Sequence, residues 1–126
     1  MMDAEEPAKT IIVLCATRTV PDIEKEMETR GIRVWWAPSI TAATALLDSA
    51  PNGTVVITEL ALRDGNWRDL VERLRCSGKP VRLALVSQTR TSELWWDTLE
   101  CGVEDILLAP LSVPRICEYL NISPSR

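Results

Sequence analysis

Two side chains at the ends of apolar runs are candidates for chemistry: Cys15, closing TIIVLC, and Glu59, closing TVVITE. A thiol or a carboxylate can serve as nucleophile, base or metal ligand. The chain has no histidine. That excludes histidine-dependent triads, most zinc sites and phosphohistidine chemistry within it. A cysteine that handles phosphate needs backbone N–H groups wrapped around a thiolate, and usually an arginine at a fixed offset. The segment CATRTVPD has no glycine before Gly31, lacks the C-x5-R spacing and loses one donor at Pro21. A neighbouring carboxylate also raises a thiol pKa rather than lowering it. Cys15 therefore reads as a small buried filler. The other cysteines, Cys76, Cys101 and Cys117, are far apart and form no CxxC. No leader and no apolar run of membrane-spanning length is present. The expectation is a reduced, cytoplasmic protein with free thiols. A net charge of -4 with interspersed signs gives no basic stripe for nucleic acid or anionic lipid.

The elements that must position Cys15 and Glu59 alternate regularly. Apolar, β-branched runs predict strands at 10–16, 32–36, 54–59, 81–87 and 104–110. Helices are predicted between and after them. TVPDIEKEMETRG carries Thr19 as N-cap, Pro21 in the first turn and Gly31 beyond the end. SITAATALLDSAPNG is stopped by Pro51 and Gly53. GNWRDLVERLRCSGKP sets Trp67, Leu70, Val71 and Leu74 on one face. TSELWWDTLECG ends at Gly102, and SVPRICEYL is short. At 126 residues this is one domain by length. Residues 1–9 read as a flexible tail, 10–121 as the folded domain and 122–126 as a frayed end.

Short apolar strands without polar alternation are buried on both faces, so helices must cover both sides of a parallel sheet. Right-handed crossovers favour an α/β (βα)5 doubly wound, flavodoxin-like sheet with strand order 2-1-3-4-5. Ligands in such sheets bind outside the carboxyl ends of the strands, near the switch between strands 1 and 3. Cys15, Ala16, Glu59, Ser87, Ala109 and Pro110 are expected there.

VVITELALRDGNW and TLECGVEDILLAP, in that order, make the chain resemble a response-regulator receiver domain over roughly residues 10–121. The resemblance implies a bacterial two-component signalling protein with Glu59 at the phosphoacceptor position and Ser87 as the hydroxyl after strand 4. It also shows what has changed. Cys15 and Ala16 stand where the family has two acids, Glu59 where it has aspartate, and Arg63 where the turn has proline. Ala109 replaces the lysine before Pro110, and Ile106 the switch aromatic. A magnesium ion prefers several oxygens in octahedral geometry, and nothing left here neutralises a transferring phosphoryl group. The resemblance is therefore to a degenerate pseudo-receiver without metal or cofactor, not phosphorylated by the usual aspartate–magnesium route, and not an enzyme. The competing readings are a phospho-accepting response regulator using Glu59 and a Cys15-dependent phosphotransfer enzyme. Glu59 itself reads either as a fixed mimic of the phosphorylated state, held by Ser87 and by Arg18 or Arg63, or as a solvated carboxylate in an inherited pocket.

Tryptophans mark the remaining candidates. Trp35 and Trp36 must point to opposite faces of strand 2. Trp95 and Trp96 are about 100° apart around helix 4, so both cannot be fully buried. With Leu99 they suggest an interface, since docking surfaces are enriched in tryptophan. Receiver domains commonly dock through helix 4, strand 5 and helix 5. The implied partner is a histidine kinase, an output protein or a second copy, with no nucleic acid and no membrane.

Overall fold

The computed structural model describes residues 9–15 and 21–122. Among them, five parallel strands form one sheet: β1 (Lys9–Leu14), β2 (Ile32–Ala37), β3 (Val55–Glu59), β4 (Arg82–Ser87) and β5 (Asp105–Leu108). Their order is β2-β1-β3-β4-β5, as expected for a doubly wound sheet. The helices are α1 (Pro21–Thr29), α2 (Ile40–Ser49), α3 (Trp67–Ser77), α4 (Ser92–Cys101) and α5 (Val113–Ile122). The tails 1–8 and 123–126, and Ala16, Arg18, Thr19 and Val20, lie outside the described residues. None of the described helices is long and apolar enough to cross a membrane.

Strand alternation splits the apolar residues into two layers. Ile12, Leu14 and Val56 face a layer with Leu47 and Leu70, under α2 and α3. Ile11, Val13 and Ile57 face the other, with Met27 and Ile116, under α1 and α5. A single sheet buried on both sides explains why β1 and β3 are apolar at successive positions. Trp35 packs against the first layer and Trp36 against the second, so the opposite-face expectation holds. Neither ring is fully buried.

Helix ends follow the chemistry of their flanking residues. Ser39 and Thr91 cap α2 and α4, each accepting a backbone N–H within the first turn. Gly78 and Gly102 close α3 and α4 in left-handed conformations. The third helix starts at Trp67, two residues later than the sequence pattern predicted. Gly65–Asn66 instead pairs antiparallel with Ala61–Leu62, and Asn66 forms a capping box with Asp69. Gly65 has a φ of 151°, and a Cβ there would lie 2.5 Å from Asp69 Oδ2. The turn needs glycine for both reasons.

Side chains flanking α3 pin both ends of α2. At the amino end, the Asp64 carboxylate accepts the N–H groups of Ile40 at 2.8 Å and Thr41 at 3.0 Å. These donors, Ile40 first, hold the Asp64 carboxyl below its ordinary pKa. At the carboxyl end, Lys79 Nζ donates to the carbonyls of Leu47 and Ala50. An acid at the positive end and a base at the negative end both complement the helix dipole. On the opposite layer, Tyr119 of α5 donates its hydroxyl to Glu104, which also accepts from Arg82. Burial, then Glu104, keeps the phenol pKa well above its usual range.

Candidate functional site

Parallel register brings the two candidate side chains together. Leu14 pairs with Thr58 across β1 and β3, so the next residues, Cys15 and Glu59, stand side by side. Val86 is opposite Glu59 on β4. Trp36 is opposite Val13 on β2. Beyond β5 the Ala109 N–H donates to the Ser87 carbonyl at 2.8 Å, and the Ala109–Pro110 bond is cis. These residues surround a hollow of about 340 Å³ at the carboxyl edge of the sheet, with Leu111 completing the wall.

Cys15 is buried, and its thiol donates to Glu59 Oε2 at 3.2 Å. Glu59 itself is half-buried. Ser87 sits at the end of β4, but its hydroxyl donates to the Thr89 carbonyl at 2.8 Å and accepts the Thr89 N–H. Its one hydrogen is thereby committed, and the expected Ser87–Glu59 hydrogen bond is not formed. Arg63 is exposed in the turn between Leu62 and Gly65. Ala16 and Arg18 lie outside the described residues. Cys15, Glu59, Ala109 and Pro110 line one hollow, whereas the Ser87 side chain serves the local turn.

A magnesium ion does not fit the donors that remain. One carboxylate and one thiol fall far short of six hard oxygens. Among the described residues, no three His, Cys, Asp or Glu side chains converge in a way that could hold a metal. Ile106, at 1% exposure, is a core residue.

Trp95, Trp96 and Leu99 form a separate patch on α4, exposed by 41%, 64% and 48%. Only Thr98 of this helix is fully buried. Both rings are open to solvent, beside Arg90, Thr91 and Ser92. Arg90 is tied to Asp105 of β5 at 3.2 Å, and Arg68 of α3 pairs with Asp97 of α4. These links steady the helix that carries the patch.

Five lining residues of the hollow escaped the sequence reading: Val13, Leu14, Trp36, Val86 and Leu111. Trp36 was within reach of it, because alternation in β2 puts Trp36 on the α1–α5 side, level with Val13. Leu111 follows a turn whose course no local pattern dictates.

The sheet order and the two helical layers are those of the receiver fold seen in solved response regulators. A response regulator from Clostridium difficile matches with a TM-score of 0.78 at 16% identity, covering 90% of this chain and 93% of that one. The non-phosphorylated HemR receiver domain from Leptospira biflexa gives 0.75 at 23% identity, with 94% and 97% covered. The beryllofluoride-activated NtrC4 receiver domain dimer gives 0.77 at 12% identity, with 90% and 93% covered. At these identities the likeness is one of fold. No protein-family model matches the chain, and no curated protein matches it in sequence.

Proposed function

We propose that this chain is a pseudo-receiver: a cytoplasmic signalling module of bacterial two-component type that works by protein–protein contact and not by phosphoryl transfer. Glu59 holds the phosphoacceptor position as a permanent carboxylate. The observation that carries the reading is the thiol of Cys15 bonded to Glu59 where a receiver would use a further acid. A phosphoryl group entering there would meet a carboxylate and apolar walls, without the metal that normally offsets its charge. The partner is a histidine kinase, an output protein or a second copy. It docks on α4, β5 and α5, with Trp95, Trp96 and Leu99 as anchors. Their exposure supports this surface, as does the dimeric state of the NtrC4 receiver.

Incubation with acetyl phosphate and magnesium, followed by intact-mass measurement, tests the reading. The expected result is an unchanged mass. A base-labile phosphoryl adduct on Glu59 would make the chain a phospho-accepting response regulator. An adduct on Cys15 would make it a thiol phosphotransfer enzyme.

A further inference from the structure

We infer that the exposed face of α4 docks a basic, amphipathic helix of another protein. Its apolar stripe would lie on Trp95, Trp96 and Leu99, and lysine or arginine along one edge would meet Glu93 and Glu100. The inference rests on the docking surface proposed above and adds the chemistry of its occupant. Among the described residues, the large hydrophobics that stand exposed are these three, all on one helix. Apolar side chains gathered on one face, unlike scattered ones, mark a surface that is covered in use. Thr98 is the fully buried residue of α4, which sets the rotation of the helix. At about 100° per residue, Trp96 and Leu99 then point outward. Trp95 lies on one flank, and Asp97, tied to Arg68 of α3, on the other. Glu93 and Glu100, three before and four after Trp96, stand beside its ring on the Asp97 side.

Charge selects the occupant. Helix α4 carries Glu93, Asp97 and Glu100 and no base. Asp97 is satisfied by Arg68, and Arg90, just before the helix, is taken by Asp105. Glu93 and Glu100 are exposed and make no ion pair among the described residues. No cation of the described residues lies over either ring. An incoming lysine or arginine therefore meets two unspent carboxylates and the ring type that attracts cations best. A second copy is disfavoured, because a two-fold contact centred on the patch sets each residue against the same patch, acid beside acid. Beside the rings, a hollow of about 360 Å³ edged by Arg90, Thr91 and Ser92 has room for an apolar side chain of the docked helix.

The probes are two designed peptides of about 18 residues, five helical turns, with the same leucine face and with lysine in one where the other has glutamate. Each is titrated into the isotope-labelled full chain and followed by amide and indole N–H resonances. The lysine peptide should shift Trp95, Trp96 and Leu99 saturably. The glutamate peptide should bind at least about ten-fold more weakly, as two exposed ion pairs exchanged for two repulsions imply. Glu93→Gln combined with Glu100→Gln should erase that preference. Trp96→Ala should weaken the lysine peptide by about ten-fold or more. Absence of saturable shifts, shifts away from α4, equal affinity for the two peptides, or a preference that survives the double glutamine variant would overturn the inference. So would a dimer of the chain alone, seen in sedimentation, that Trp96→Ala dissolves. The occupant would then be a second copy, and the docking surface would stand without a basic partner. Should Trp96→Ala not fold, the double glutamine variant decides. Phosphoryl transfer is read separately by mass, so failure of the pseudo-receiver reading is told apart from failure of this one.

Discussion

Replacing Cys15 with aspartate sets a second carboxylate against Glu59. The thiol sulfur lies 3.2 Å from Glu59 Oε2, so the introduced charge would sit about 4 Å from the existing one. Two like charges at that distance repel by about 1 kcal/mol in bulk water and by about 4 kcal/mol at the effective dielectric of a protein site. Cys15 is 9% exposed and Glu59 is half-buried, which places the penalty near the upper part of that range, about 2–4 kcal/mol at neutral pH. Cys15→Asn is the control, since it changes shape in the same way without the charge. In a chain of this size 1 kcal/mol moves the melting temperature by roughly 3–6 °C, so the two variants should differ by about 10 °C. Repulsion raises at least one carboxyl pKa in the folded state above its unfolded value near about 4. The folded protein then binds more protons than the unfolded one, so stability falls as pH rises. The gap between the variants should be closed in acid and open as pH climbs above about 4. Millimolar magnesium should narrow it by binding between the two carboxylates, and leave the parent unmoved. Thermal melts of both variants across pH, with and without magnesium, measure all of this. Equal melting temperatures at neutral pH, or a gap indifferent to pH, would refute the face-to-face arrangement of Cys15 and Glu59.

Asp64→Asn should lower the melting temperature at neutral pH and lose its effect in acid. The Ile40 and Thr41 N–H groups depress the Asp64 pKa, so its contribution is present above the unfolded value near about 4 and vanishes as pH falls through the lower folded value. Lys79→Met removes the donors to Leu47 and Ala50 and should cost about 1–2 kcal/mol in urea unfolding. Trp96→Ala, at a ring 64% exposed, should change unfolding free energy by less than about 0.5 kcal/mol. It should nevertheless weaken the complex on α4 by about 2 kcal/mol or more, as read by sedimentation velocity of the copurified assembly.

Most of the fold was legible because its signals are local. Unbroken apolar strands such as 11–14 required cover on both faces, and the two layers of Ile12 and Ile11 meet that requirement. Gly102 stops α4 where expected because glycine takes the left-handed conformation readily, whereas α3 ends at Ser77 on Gly78, short of the predicted run to Pro80. The start of α3 was misplaced for an equally physical reason. Asn66 and Asp69 form a capping box, but the ladder between Ala61–Leu62 and Gly65–Asn66 competes for the residues before it. That competition is decided by backbone pairing across a turn, and helical periodicity does not register it.

The site was legible as a list of positions and not as a set of contacts. Strand order alone brings Cys15 and Glu59 to one edge, because β1 and β3 are neighbours. What each side chain does there depends on distances that no spacing encodes. Ser87 matches the receiver pattern in type and place, yet its hydroxyl closes a turn on Thr89. Cys15 departs from the pattern, yet it is in hydrogen-bond contact with Glu59. Retained residue type and retained role have therefore come apart at this edge of the sheet. Replacing a charged position by a thiol or a methyl group removes repulsion between acids along with the metal that relieved it.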